Sequence, residues 1–210
     1  MRLLLAALAL MPAVAWASGD HAVPDTGARF EPPAVGTYDL PVIGRVSDAT
    51  LVGSDGAPAP MLGLAPTDLA LVSFVYLSCG EACPLATATL HQLDREIAAD
   101  EELAGRVQLV TISFDPERDT PERMAALAES LSPEGRWRFV TAASPAAIAP
   151  VLADYGQDAV WIPSGDTAPD RLRHVLKLFL IDASGAVRNI YSTGFLDRRL
   201  ILNDLRTLLE

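Results

Sequence analysis

Cys79 and Cys83 are the only thiols in 210 residues, and three residues separate them. A disulfide closing so short a ring would stabilise the fold by only on the order of 2 kcal/mol. A plain structural bridge is therefore a poor use of the pair, and its chemistry is the stronger reading. Cysteines become good metal ligands and good exchange partners when their thiolate form is favoured, so both uses stay open at this point. The imidazoles available to join them are His21, His91 and His174. A second polar cluster follows at Asp115-Pro116-Glu117-Arg118-Asp119-Thr120-Pro121.

The elements that must position these residues are legible from the apolar pattern. Leu71 to Leu77 is a nearly continuous, partly β-branched run, as a strand covered on both faces requires. Pro84 suits the first position of the following helix, whose apolar face is Ala86, Leu90, Leu93 and Ile97. The cysteines therefore lie between a central strand and the amino end of a helix, where ligands bind in open α/β sheets and where the helix dipole favours a thiolate. Val107 to Phe114 is a second buried strand. Thr120 as cap and Pro121 at the first turn open a helix carrying Met124, Leu127, Ala128 and Leu131. Trp137 to Thr141 is a third strand, and Ile148, Val151, Leu152 and Tyr155 mark another helix. Val175 to Ile181 and Val187 to Tyr191 flank the hairpin turn Asp182-Ala183-Ser184-Gly185, and Ile201, Leu205, Leu208 and Leu209 close the chain as an amphipathic helix. Ahead of all these, Tyr38 to Val46 and Thr50 to Val52 read as an added hairpin, with Gly53-Ser54-Asp55-Gly56 as turn chemistry.

This order is that of one α/β domain. It resembles the thioredoxin fold with an added N-terminal β-hairpin and insertions. In that fold the loop entering the strand at Val175 lies against the cysteine loop, and thioredoxins place a cis-proline there. Here the nearest preceding proline is Pro169, five positions before His174, so an imidazole stands where the proline is expected. His174 is thereby the candidate third ligand. His91 falls on the polar side of its helix, and His21 would be fourth in a chain cut after Ala17, one place late for an amino-terminal Cu(II) site. Two thiolates and an imidazole form a soft three-ligand set that suits Cu(I). Zinc would want a fourth closed ligand, or a water with a general base nearby.

Taken together, Cys79-x-x-x-Cys83-Pro84, the Asp115 to Pro121 segment and the distant His174 resemble the Sco/SenC family over roughly residues 36 to 210. The resemblance implies a thioredoxin-like, copper-binding protein associated with assembly of the binuclear copper A centre of cytochrome c oxidase. Cys79, Cys83 and His174 would bind Cu(I) or Cu(II), and the two thiols could cycle through a disulfide. It also places the Asp115 to Pro121 loop near the metal, giving Asp115 or Asp119 a supporting part. Two departures stand out: Leu77 replaces the usual threonine, and Gly80 replaces the proline after the first cysteine, which loosens the loop.

Composition narrows the alternatives. Half the residues are hydrophobic, one fifth are charged, and the formal charge is −11, so a nucleic acid is repelled by the average surface. Arg2, the apolar run Leu3 to Met11, Pro12 and Ala15-Trp16-Ala17 form a cleavable secretory signal over residues 1–17. About twelve apolar residues are too few for a span, which needs roughly 20. The signal resembles bacterial ones, which implies the periplasm. Residues 18–35, rich in Pro, Gly and Ala, read as a flexible tether, and 36–210 as the folded domain, with no membrane span after cleavage. The expected function is a periplasmic copper chaperone whose partner is the copper A subunit of cytochrome c oxidase or another periplasmic cuproprotein. The alternative is a thiol-disulfide reductase that keeps such a partner's cysteines reduced and has no need of His174. Peroxide reduction fits worse, because Tyr76 and not threonine stands three places before Cys79.

Overall fold

A strand hydrophobic at every position can only be stable with both faces covered, and two such strands form the centre of the molecule. The computed structural model describes residues 31–78, 82–157, 160–162, 171–173, 176–192 and 197–210, with 82–86, 160–162 and 171–173 as backbone only. Strand β4 (Leu69–Val75) is buried at all seven positions, as is β5 (Val107–Ser113), and the two pair in parallel from Leu69 opposite Val107 to Val75 opposite Ser113. Strand β6 (Arg136–Thr141) continues the sheet in parallel, while β9 (Lys177–Asp182) lies antiparallel on the other side of β4, followed by β10 (Ala186–Ser192).

The period of two along each strand divides the core into two layers. One face carries Val72, Phe74, Val110, Ile112, Phe179 and Ile181 against Ile148 and Val151 of helix α3 (Pro145–Asp154). The opposite face carries Leu71, Leu109, Leu178 and Leu180 against Leu90, Leu93 and Ile97 of α1 (Ala82–Ala98), Met124 of α2 (Pro121–Leu131), and Ile201 and Leu205 of α4 (Arg198–Leu209). This is a sheet with helices on both faces, the architecture expected.

Several local readings change. The residues from Tyr38 to Val46 are not a strand throughout: only β1 (Gly44–Arg45) pairs, at the edge beside β10. Pro41 has no N–H to give a ladder, and beyond β1 the chain turns onto the sheet's face with Val46 buried in the core. Strand β2 (Thr50–Gly53) therefore joins the far side of the sheet, where it pairs with β6 and with β3 (Pro58–Pro60). The amino-terminal hairpin exists, but its arms are β2 and β3. Its turn is the Gly53 to Gly56 segment, with Gly56 at φ +80° and the Gly53 N–H donating to Ala57 O at 2.8 Å.

Helix α1 starts at Ala82, so Pro84 is its third residue and not its first. That still falls among the opening N–H groups that have no partner within the helix. Thr120 does stand at the cap of α2, yet its side chain makes no capping hydrogen bond. The strand expected from Val175 starts at Lys177, and the Asp182 to Gly185 turn forms as read, with the Gly185 N–H donating to Asp182 O at 2.9 Å. A small two-stranded sheet of β7 (Val160–Ile162) and β8 (Arg171–Arg173) was not foreseen, since three-residue strands leave no period to read. Residues 1–17 and 18–30, expected as signal and as most of the tether, lie outside the described residues.

Candidate metal centre

Parallel strands β4 and β5 deliver their carboxyl ends to one end of the sheet, and antiparallel β9 starts there. Cys83 is the second residue of α1, within the turn whose free N–H groups and dipole favour negative charge. Cys79 and His174, like the side chain of Cys83, lie outside the described residues. The segments that flank them are described. Leu77 and Ser78 lead from β4 toward Cys79, and His174 follows β8 directly, with buried Leu176 leading into β9. His91 is half-buried on α1, and His21 lies outside the described residues. Among the described residues no three His, Cys, Asp or Glu side chains cluster so as to hold a metal ion.

The Asp115 to Pro121 segment is fastened to the strand that carries the cysteine loop. The β4–β5 ladder runs as far as Phe114 N–H donating to Val75 O at 2.8 Å. Continuing the ladder would take the Leu77 N–H to Phe114 O and then an N–H from residue 116 to Leu77 O, and residue 116 is a proline that has none. Here β5 turns away: the N–H groups of Arg118 and Asp119 donate to Asp115 O at 3.1 and 2.7 Å, folding Asp119 back toward the sheet. Asp119 is fully buried, and its Oδ2 accepts the Leu77 N–H at 3.0 Å and the Ser113 hydroxyl at 2.7 Å. The Ser113 oxygen in turn accepts the Asp115 N–H at 2.9 Å. Oδ1 of Asp119 has no hydrogen-bond partner among the described residues and lies 3.6 Å from Arg123 Nη1. Burial pushes the Asp119 carboxyl above the usual carboxylate range, opposed by the Ser113 and Leu77 donors and by Arg123, while Asp115 adds to the upward push. Asp115, also buried, directs a carboxylate oxygen to Arg118 at 3.0 Å.

On the other face of the strand end, Phe74 packs on Phe114 and Tyr155 with ring centroids 5.3 and 5.0 Å apart, and Tyr155 meets Phe179 at 4.9 Å. These rings belong to the core cluster on the α3 side of the sheet. The carboxylate tie to Leu77 escaped the sequence reading. Pro116 signals that β5 cannot go on donating to the ladder, but not where the Leu77 N–H goes.

A central sheet with helices on both faces, and a cysteine at the start of the helix after its middle strand, defines a protein of the thioredoxin-like class. The chain belongs to the SCO1/SenC family, whose model matches residues 65–210. It is similar to the SCO1 protein homolog of Bacillus subtilis (strain 168), 25% identical over 123 residues, which are 58% of this chain and 61% of that protein. The chain thus matches about three fifths of the length of that curated relative. Among solved structures it is similar to a SCO1/SenC family lipoprotein from Bacillus anthracis str. Ames, with a TM-score of 0.70 and 25% identity, covering 81% of this chain and 98% of that one. It also shares the fold of Arabidopsis thaliana ScoI, solved with copper bound, with a TM-score of 0.66 and 19% identity, covering 77% and 95% of the two chains. The Sco family is described as one of cytochrome c oxidase assembly proteins.

Proposed function

We propose that the protein is an extracytoplasmic copper chaperone that binds copper through Cys79, Cys83 and His174 and delivers it to, or prepares, the copper A site of cytochrome c oxidase. The observation that carries this reading is the position of Cys83 in the first turn of α1, at the carboxyl end of the central strands. Family membership and relatives solved with copper bound support it. The donor set fits a soft ion, since two thiolates and one neutral imidazole satisfy Cu(I) in trigonal geometry. Both thiols must lose their protons to bind, so capture releases protons and affinity falls as the pH drops below the thiol pKa.

In this reading residues 1–17 are a cleavable signal that takes the chain to the periplasm, 18–35 a tether and 36–210 the folded domain. The lipoprotein among its relatives agrees with a site of action outside the cytoplasm. Among the described residues no helix is long and apolar enough to cross a membrane. The receiving protein is the copper A subunit or another cuproprotein of the same compartment.

The test is an anaerobic titration of the reduced protein with Cu(I) against a chromogenic competitor. One equivalent binds, and Cys79→Ser, Cys83→Ser and His174→Ala each weaken binding by more than about tenfold, because losing a ligand costs more than losing an outer partner. Binding by the wild type no tighter than by Cys83→Ser overturns the proposal. The same helix position also favours thiol-disulfide exchange, the second reading. Reduction of insulin disulfides that persists in His174→Ala, together with weak copper binding, selects it.

A further inference from the structure

We infer that Asp119 is a positioning residue for Cys79, acting through the backbone of Leu77. The inference rests on the copper-site reading for its meaning but not for its geometry. Strand β4 ends at Val75, and two residues later the chain reaches Leu77, itself two residues before Cys79. With Gly80 beyond the cysteine, nothing in the local sequence stiffens this stretch. Within it the Leu77 N–H is anchored at 3.0 Å by Asp119 Oδ2.

That anchor replaces a rung of the sheet. β5 departs at Asp115, and the carboxylate of Asp119, folded back by the Asp115 carbonyl, takes the Leu77 N–H that a continued ladder would have given to Phe114 O. The Ser113 hydroxyl on the same oxygen at 2.7 Å and the Asp115 N–H on Ser113 fix the direction of the carboxylate. A bond from N–H to a buried carboxylate is among the stronger hydrogen bonds available, so it extends the rigid part of β4 by two residues toward the first cysteine. Asp115 does not share the role, because its carboxylate faces Arg118.

The experiment compares wild type, Asp119→Ala, Asp119→Asn and Ser113→Ala as reduced, metal-free proteins and again with copper. Three readouts are taken: amide hydrogen exchange at Leu77 and at Leu71, the alkylation rate of Cys79, and Cu(I) affinity by competition. Asp119→Ala speeds exchange at Leu77 but not at Leu71, changes Cys79 alkylation, and weakens copper by about tenfold or more, the range seen when an outer partner of a metal ligand is removed. Asp119→Asn keeps an acceptor for Leu77 and recovers most of each effect, which a general packing role would not produce. Ser113→Ala, a milder change, shifts all three in the same direction and serves if Asp119→Ala does not fold. Alkylation and affinity within about twofold of wild type in folded Asp119→Ala, or protection lost equally at Leu71 and Leu77, overturn the inference. Should the wild type itself bind copper weakly, the copper reading fails while exchange and alkylation still decide the part of Asp119.

Discussion

At Gly185 the backbone has φ +76°, and an added Cβ would lie 2.5 Å from the carbonyl oxygen of Val46. The residue therefore meets two demands that only glycine satisfies together: a left-handed turn and close passage of the segment that leaves β1. Val46 is held there by its own N–H, which donates to Gly185 O at 2.9 Å. Gly185→Ala is expected to destabilise by about 1–3 kcal/mol, the usual cost of a side chain held in a left-handed conformation, before the clash is added. Urea unfolding checks this, and an unchanged midpoint contradicts it. The turn was readable from its residue types, whereas the second demand was not, because Val46 and Gly185 meet only across the sheet edge.

Helix starts show at the element scale what a cap contributes when its side chain bonds and when it does not. Ser144 opens α3 with its Oγ accepting the Ala147 N–H at 3.2 Å, ahead of Pro145. Thr120 occupies the same position in α2, also ahead of a proline, without a capping bond. Its hydroxyl instead helps to hold the Glu122 carboxyl below the usual range. Ser144→Ala should cost about 1 kcal/mol, and Thr120→Ala about 0.5 kcal/mol or less, as for an ordinary surface change. Equal losses in denaturant unfolding would contradict the distinction. The sequence reading named Thr120 as a cap and did not name Ser144, and the motif cannot say which side chain bonds, since the rotamer is set by neighbours.

Across the whole molecule, one buried carboxylate joins three separate parts of the chain. Asp204 on α4 accepts the hydroxyls of Tyr38 at 2.5 Å and Tyr191 at 2.6 Å, and the Asn189 side-chain amide at 2.8 Å. The segment around Tyr38 is bound along the same helix by Asn203 Nδ2 to Pro33 O at 2.8 Å and by Gly36 N–H to Thr207 Oγ1 at 3.1 Å. Burial, then the hydrogen bond to Asp204, pushes the Tyr38 phenol up to about 12, and burial with Asp204 drives that of Tyr191 higher still. A phenol with a raised folded-state pKa keeps its full contribution below the unfolded value of about 10, and loses it as the pH rises through the folded one. Stability should therefore fall above pH about 10, and Tyr38→Phe should flatten that fall while lowering stability at neutral pH. Denaturant midpoints at neutral and at alkaline pH read both effects; a Tyr38→Phe profile parallel to wild type would exclude Tyr38 as the source.

The sequence alone determined what local physics dictates. Continuous apolar runs made β4 and β5 central strands, helical spacing produced α1 and α4, and the Asp182 to Gly185 chemistry produced its hairpin. Residue type made the thiols candidates for a soft donor set, and the resemblance to the thioredoxin fold made His174 the candidate imidazole. Tertiary structure decided what depends on partners distant in sequence. It put β1 and β2 on opposite sides of the sheet, with Val46 between them packed into the core, a placement that no periodicity records. It formed the β7–β8 ribbon from strands too short to have a period. It also assigned the Leu77 N–H to a carboxylate 42 residues away, because the chain after β5 turns at Asp115 and folds Asp119 back onto the end of β4.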